Sequence, residues 1–356
     1  MESLGVNRFW AGRRVLVTGH TGFKGAWLCL WLERLGAQVS AIALPPQTSP
    51  ALYDALTPWP GQHHVHGDIC DGAALSAFVA QARPQVVIHM AAQALVRRSY
   101  AEPVETFATN IMGTVNLLCA LRAVEGVEAV VVVTTDKVYA NPNDGTPFRE
   151  GDPLGGKDPY SSSKACAELV TASLRDSFFR AGGPAIATAR AGNVVGGGDW
   201  SDDRLVPDFI RALDSGEPVR LRYPQAVRPW QHVIEPLAGY LALAQALVER
   251  PAEVPEALNF GPDPASVASV AQVAEALAGA FGLPAPWAQA EGSHPPEAQA
   301  LVLNSDLAAA TLGWRPRLSL DDTIAWTSQW YRAHRAGADV RALSLAQIAR
   351  YEELLP

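Results

Sequence analysis

The stretch Val15-Leu16-Val17-Thr18-Gly19-His20-Thr21-Gly22-Phe23-Lys24-Gly25 decides how the rest of the chain is read. An apolar run breaks into glycines at Gly19, Gly22 and Gly25 and opens into a helical apolar pattern, so strand, tight turn and helix follow one another. Glycine permits the turn and lets backbone N–H groups approach a pyrophosphate, and the helix N-terminus favours the negative charge. A dinucleotide suits this order of elements.

Outward from that loop, strand-like runs at 14–17, 39–44, 86–90, 129–134 and 186–190 alternate with helical patterns near 23–35, 73–82, 104–124 and 162–180. Strands apolar on both faces and separated by helices predict an α/β fold, a Rossmann-type doubly wound parallel sheet. From about residue 191 glycine and proline punctuate the chain, at Gly196-Gly197-Gly198, Pro229, Gly261-Pro262 and Pro284-Ala285-Pro286. This predicts a smaller C-terminal substrate-binding lobe. The expected division is 1–190 for the dinucleotide-binding domain, with 233–258 returning to it, and 191–232 with 259–356 for the second lobe. A loop at Pro295-Pro296, a strand near 301–303 and helix over 320–353 are expected late in the chain.

The chain has 356 residues, 48% of them hydrophobic, enough for two packed lobes. A net charge of −8 without basic runs argues against nucleic acid or an anionic membrane surface as partner. The first residues lack the pattern of a signal peptide, and the longest apolar run, taken as 26–32, is too short to span a bilayer. Cys29, Cys70, Cys119 and Cys166 are scattered, which suggests neither a disulfide framework nor zinc. A soluble, cytoplasmic protein is expected. His63, His64 and His66 lie before an expected strand with no acidic neighbour, and no metal site is expected there.

Tyr160-Ser161-Ser162-Ser163-Lys164 sets a tyrosine and a lysine at i and i+4, on one side of a helix. A free tyrosine, with a pKa of about 10, is a poor base at neutral pH, and a nearby ammonium favours the phenolate. The pair suits proton transfer during hydride transfer. Asp68, after an expected strand end, is positioned to hydrogen-bond an adenine. Leu44-Pro45-Pro46-Gln47 carries neither the acid that reads a ribose nor an arginine for a 2′-phosphate, so NAD and NADP both stay open on these residues.

Thr18-Gly19-x-x-Gly22-x-x-Gly25, Ala91-Ala92-Gln93, Asn110 and Tyr160-x-x-x-Lys164 resemble the extended short-chain dehydrogenase/reductase family of nucleotide-sugar enzymes. More narrowly, Gly19-His20-Thr21-Gly22-Phe23-Lys24-Gly25, Thr135-Asp136-Lys137, Gly155-Gly156-Lys157-Asp158-Pro159-Tyr160, Arg190-Ala191-Gly192-Asn193-Val194, Gly196-Gly197-Gly198-Asp199-Trp200 and Arg228-Pro229-Trp230-Gln231-His232 are similar to the CDP-glucose 4,6-dehydratase group of that family. Asp136-Lys137 carries the distinction, because dTDP-glucose dehydratases typically have Asp-Glu there and simple 4-epimerases lack an acid–base pair.

The resemblance implies NAD as a recycled cofactor, held by Gly19, Thr21, Gly22, Phe23, Lys24, Gly25, Asp68, Ile69, Ala91, Ala92, Gln93, Asn110, Tyr160 and Lys164. It implies that Tyr160 takes the C4 hydroxyl proton of CDP-glucose as the C4 carbon is oxidised, with Thr135 on O4. Asp136 and Lys137 would then eliminate water across C5–C6, which of them is acid and which base being left open, before C6 is reduced. Asn193, Arg228 and Asn259 would contact the diphosphate, with Arg204 and His232 also on the substrate; Trp200, Trp230 and Glu297 are weaker candidates. A homodimer through two long helices is implied. A dehydratase or 4-epimerase for another nucleotide sugar, and a non-catalytic dinucleotide sensor, are the alternatives.

Overall fold

Five consecutive apolar residues, Ala129–Val133, are buried without exception and form the strand on which the molecule is built. β-Branched residues of this kind suit a strand covered on both faces. The computed structural model describes residues 8–263, 266–283, 287–292 and 301–356. Among them, seven strands make one parallel sheet: β1 (Arg14–Thr18), β2 (Gln38–Ala43), β3 (His63–His66), β4 (Val86–His89), β5 (Ala129–Val133), β6 (Ala185–Ala191) and β7 (Ala257–Phe260). Their order is β7-β6-β5-β4-β1-β2-β3, the doubly wound arrangement, with the direction of winding reversing between β1 and β4.

The principal helices are α1 (Phe23–Arg34), α2 (Gly72–Ala82), α3 (Gly113–Leu121), α4 (Pro159–Leu174), α5 (Leu205–Ser215), α6 (Ile234–Glu249), α7 (Val270–Phe281), α8 (Leu320–Arg335) and α9 (Val340–Glu352). On one face of the sheet, α2, α3 and α4 pack side by side over Leu16, Val87, Val130 and Ile186. On the other, α1 and α6 cover Val15, Ile88, Val131 and Ala187. Residues Gly25 to Leu32 of α1 are all buried, so this helix is apolar around its whole circumference. The second lobe packs α7 against α5 and α8, with three two-stranded pairs: Val194–Val195 with Gln231–His232, Val227–Pro229 with Val267–Ser269, and Val219–Leu221 with Trp287–Gln289.

Several expectations change. His63, His64 and His66 do not precede a strand; they are β3, paired to β2, because every polar ring finds a surface or aromatic neighbour at the sheet edge. β7 crosses the expected boundary at 258 and completes the sheet beside β6. The helix after residue 103 runs to 121 through a π-helical turn at Ala108–Met112, and another π-turn, Arg175–Phe179, extends α4. By length and composition Pro103–Leu121, not 26–32, is the apolar stretch long enough to cross a membrane; here it packs on the sheet-covering helices. The terminal helix α9, expected in the second lobe, lies on α1: Glu352 accepts from Trp31 Nε1 and Arg34 Nε, both at 2.9 Å. Such pairings join residues far apart in sequence and leave no local pattern. Pro284-Ala285-Pro286 and Pro295-Pro296 lie outside the described residues.

Candidate active site

A cleft of about 1140 Å³ opens at the carboxyl ends of the strands, between the sheet and the second lobe. The glycine loop forms one wall. Gly19 has φ of +83°, and a Cβ there would lie 2.7 Å from the Ala91 nitrogen; one on Gly25 would lie 2.1 Å from the Gly19 carbonyl oxygen. The loop therefore closes tightly on itself and on the end of β4, as the glycine pattern requires. Thr18 locks the same corner. Its Oγ1 accepts from the Met90 and Ala91 N–H groups at 3.1 Å each and lies 2.6 Å from His89 Nδ1. Thr21 Oγ1 donates to the Leu44 carbonyl at 2.8 Å, tying the loop to the end of β2. The N-cap of α1 is Gly22, which offers no side chain to the first helical N–H groups and leaves that end open to an anion.

The proton-transfer groups gather opposite. Asp158 caps α4, accepting from Ser161 N–H at 2.9 Å, and Pro159 opens the helix, so Tyr160 and Lys164 fall on its first turns facing the cleft. Thr135, Asp136 and Lys137 follow β5 after one intervening residue, Thr134. Thr135 Oγ1 donates to Asp136 Oδ1 at 2.9 Å, and Lys137 Nζ is 3.7 Å from the same oxygen. Asp136 is buried, and its Oδ2 has no hydrogen-bond partner among the described residues. A buried carboxylate oxygen left in this way is an acceptor available to a bound molecule.

The electrostatics differ from the sequence expectation. Burial pushes Tyr160 up to about 12, with Thr135 and Arg204 pulling the other way and Asp136 adding to the rise. Lys164 donates to the Val133 carbonyl at 2.9 Å, and burial lowers its pKa to about 8 while Glu168 raises it. The phenolate is thus favoured by Thr135 and Arg204, whereas the ammonium expected to do this is turned to the backbone and is itself desolvated.

Of the residues singled out from sequence, Gly19, Thr21, Gly22, Phe23, Lys24, Gly25, Asp68, Ile69, Ala91, Ala92, Gln93, Thr135, Asp136, Lys137, Tyr160, Lys164, Asn193, Arg204 and Arg228 line the cleft. Trp200 and Trp230 do also. Asn110, His232 and Asn259 do not. Asn110 is buried in the π-turn and acts through its neighbours, Gln93 and Ser163. His232 is buried between Trp27 and Trp326, away from the cleft lining, and burial lowers its pKa to about 3. Asn259 accepts from Tyr139 Oη at 2.7 Å and donates to the Phe148 and Asn304 carbonyls at 3.0 and 3.2 Å, which fixes the loops behind the cleft. Glu297 lies outside the described residues.

Some functional neighbours were not read from the sequence. Glu168, one turn beyond Lys164, pairs with Arg190 at 2.7 Å and accepts from Thr188 Oγ1 at 2.7 Å, all of it buried. Its signal was present as a third position in the i, i+4 series that begins at Tyr160. Tyr240, on α6, accepts from Lys24 Nζ at 3.1 Å and has no local sequence signal.

Residues 15–261 match the model of the NAD dependent epimerase/dehydratase family. The chain is 43% identical over 96% of its length to a CDP-glucose 4,6-dehydratase of Salmonella typhimurium, covering 97% of that protein. It is 31% identical over 90% of its length to a dTDP-glucose 4,6-dehydratase of Streptomyces antibioticus, covering 93% of it. Its fold superposes on that of the epimerase Mth375 of Methanothermobacter thermautotrophicus with a TM-score of 0.82 at 24% identity, over 95% of this chain and 96% of the other. With a family match over most of its length and a relative this similar from end to end, the chain belongs to the NAD dependent epimerase/dehydratase family.

Proposed function

We propose that this chain converts CDP-D-glucose to CDP-4-dehydro-6-deoxy-D-glucose and water. The observation that carries the reading is Thr135-Asp136-Lys137 sharing one cleft with Tyr160, in a chain 43% identical to a CDP-glucose 4,6-dehydratase. An epimerase has no elimination to perform and needs no such pair beside the tyrosine.

The cleft suits NAD: Gly19 and Gly25 leave no room for a side chain, the N-terminus of α1 is uncapped by any side chain, and Asp68 and Ile69 line the adenine end. When bound, NAD supplies oxidation at sugar C4 and the matching reduction at C6. Tyr160 takes the proton of the C4 hydroxyl, and Thr135 hydrogen-bonds the same oxygen. A ketone at C4 acidifies the C5 proton. Asp136 and Lys137 share the removal of that proton and the protonation of the departing C6 hydroxyl, and a proton returns to C5 as C6 is reduced. Arg204 and Arg228 suit the diphosphate, because a guanidinium fork matches its oxygens.

Val104, Phe107 and Met112, with Leu169 and Phe178, are apolar and exposed on two helical runs that pack together. Two copies would cover these residues by pairing the runs into a four-helix arrangement, giving a homodimer. A cytoplasmic location belongs to the same reading, with Cys29, Cys70, Cys119 and Cys166 all free thiols.

The test is the behaviour of Asp136→Asn and Lys137→Met with CDP-glucose. Both should still oxidise the sugar, seen as near-ultraviolet absorbance of the reduced cofactor, and lose water elimination by at least about a hundredfold. Water loss at the unmodified rate in both would remove Asp136 and Lys137 from the elimination, and no water loss from CDP-glucose by the unmodified protein would remove the dehydratase assignment.

A further inference from the structure

Asp203 has φ of +60°, a left-handed backbone that an aspartate tolerates at some cost. It lies in the cleft-lining loop between Asp199 and α5. That loop is held firmly: Arg211 donates to the Trp200 and Ser201 carbonyls at 3.1 Å each, and Asp199 pairs with Arg204 at 3.0 Å. The bend aims the Asp203 carboxylate at two arginines. Arg222, which follows the strand Val219–Leu221 of the second lobe, lies 2.8 Å from Oδ1. Arg97, on the short helix Val96–Ala101 of the first lobe, donates to the same oxygen at 2.6 Å. Burial opposes the charge of Asp203, and the two arginines hold its carboxyl below the ordinary carboxylate range. The helix that carries Arg97 is tied to the catalytic groups, because Ser99 Oγ accepts from the Tyr160 N–H at 3.2 Å. Arg97, Asp203 and Arg222 line both the cleft and a surface depression of about 540 Å³ beside it, so the carboxylate stands on the partition between the two.

We infer that Asp203 is a positioning residue that latches the second lobe to Arg97 of the first and keeps the sugar in the cleft through its intermediate stages; this rests on the dehydratase reading. The chemistry needs that retention. Loss of hydride from C4 and of the hydroxyl proton gives a ketone. Departure of the C5 proton and the C6 hydroxyl, as water, then gives a C5–C6 double bond. The sugar stays two hydrogens short of product until hydride returns to C6 and a proton to C5. A sugar that leaves at this stage carries the deficit away and leaves the dinucleotide reduced, so turnover stops until an oxidised dinucleotide replaces it. Arg97 and Asp203 are 51% and 35% exposed, and ion pairs exposed to this degree are weak, so the latch slows departure without blocking the release of finished product.

Mass spectrometry of the nucleotide sugar released from CDP-glucose by the NAD-loaded protein reads the share that is two hydrogens lighter than product. The unmodified protein should release little of it. Arg97→Gln, which leaves Asp203 with Arg222, should raise that share about two- to fivefold. It should also lose activity progressively during turnover and recover when NAD is added. Asp203→Asn keeps a residue suited to the left-handed backbone, removes the charge and should behave in the same way. Arg97→Lys should restore most of the retention. Sugar of product mass alone from both Arg97→Gln and Asp203→Asn, with no loss of activity during turnover, would overturn the inference; a raised KM beside it would assign Arg97 to substrate binding. Should Asp203→Asn fail to fold, Arg97→Gln decides the matter, since the arginine is exposed. No water loss from CDP-glucose by the unmodified protein would instead strike the dehydratase reading.

Discussion

Asn110 holds the backbone of Gln93 at both of its polar atoms: Oδ1 accepts from the Gln93 N–H at 2.9 Å and Nδ2 donates to the Gln93 carbonyl at 3.0 Å. The same Nδ2 donates to Ser163 Oγ at 2.8 Å, one residue before Lys164. One buried amide therefore fixes the cleft-lining segment 91–93 and registers it against α4. Asn110→Ala leaves a buried N–H and carbonyl without partners, at a cost of about 1–3 kcal/mol. Thermal unfolding should show that loss, and NAD titration of the folded fraction should show weakened binding; undiminished affinity would mean the segment is held by other contacts.

Glu168 compensates Arg190 in a site with almost no solvent, and it also accepts from Thr134 and Thr188. Glu168→Ala strands the guanidinium and should cost about 3–5 kcal/mol in denaturant unfolding. Because Glu168 raises the Lys164 pKa, its removal should also move the alkaline limb of the activity profile to lower pH. A profile left in place would separate Glu168 from the chemistry.

Gly25→Ala sets a methyl group against the Gly19 carbonyl oxygen, 2.1 Å from the ideal Cβ position. The backbone of both must move, so the dinucleotide wall opens. Affinity for NAD should drop at least about tenfold by titration, well beyond any change in folding. Equal affinity would show that the loop has slack.

His20, His89 and His232 are buried, and burial lowers each from 6.5 to about 3; His64 is lowered to about 4 by burial and by His63 and His66. The folded protein keeps these rings neutral, while the unfolded chain takes up protons below about 6.5. Stability should be level above that pH and fall as pH drops toward about 4, by up to about 1.4 kcal/mol per pH unit for each histidine. Denaturant midpoints measured across the window check the slope, and a flat profile would contradict the burial of these rings.

The glycine loop, the sheet and the Tyr160–Lys164 pair were legible because each is written in local spacing: strand then Gly19, Gly22 and Gly25, or i and i+4 on one helix. What escaped has no local code. β7 and α9 gain their places by packing against β6 and α1, hundreds of residues away in part, and Tyr240 meets Lys24 across the fold. His232 and Asn259 were read as substrate contacts from the positions of motifs; burial turned both into supports. The electrostatics escaped for the same reason, since desolvation of Tyr160 and Lys164 depends on everything around them.

The most direct measurement is incubation of the purified protein with CDP-, dTDP-, UDP- and GDP-glucose, with and without added NAD, following loss of water by mass spectrometry. The account predicts water loss from CDP-glucose and little from the others. No water loss from any of them by protein that binds NAD would contradict it.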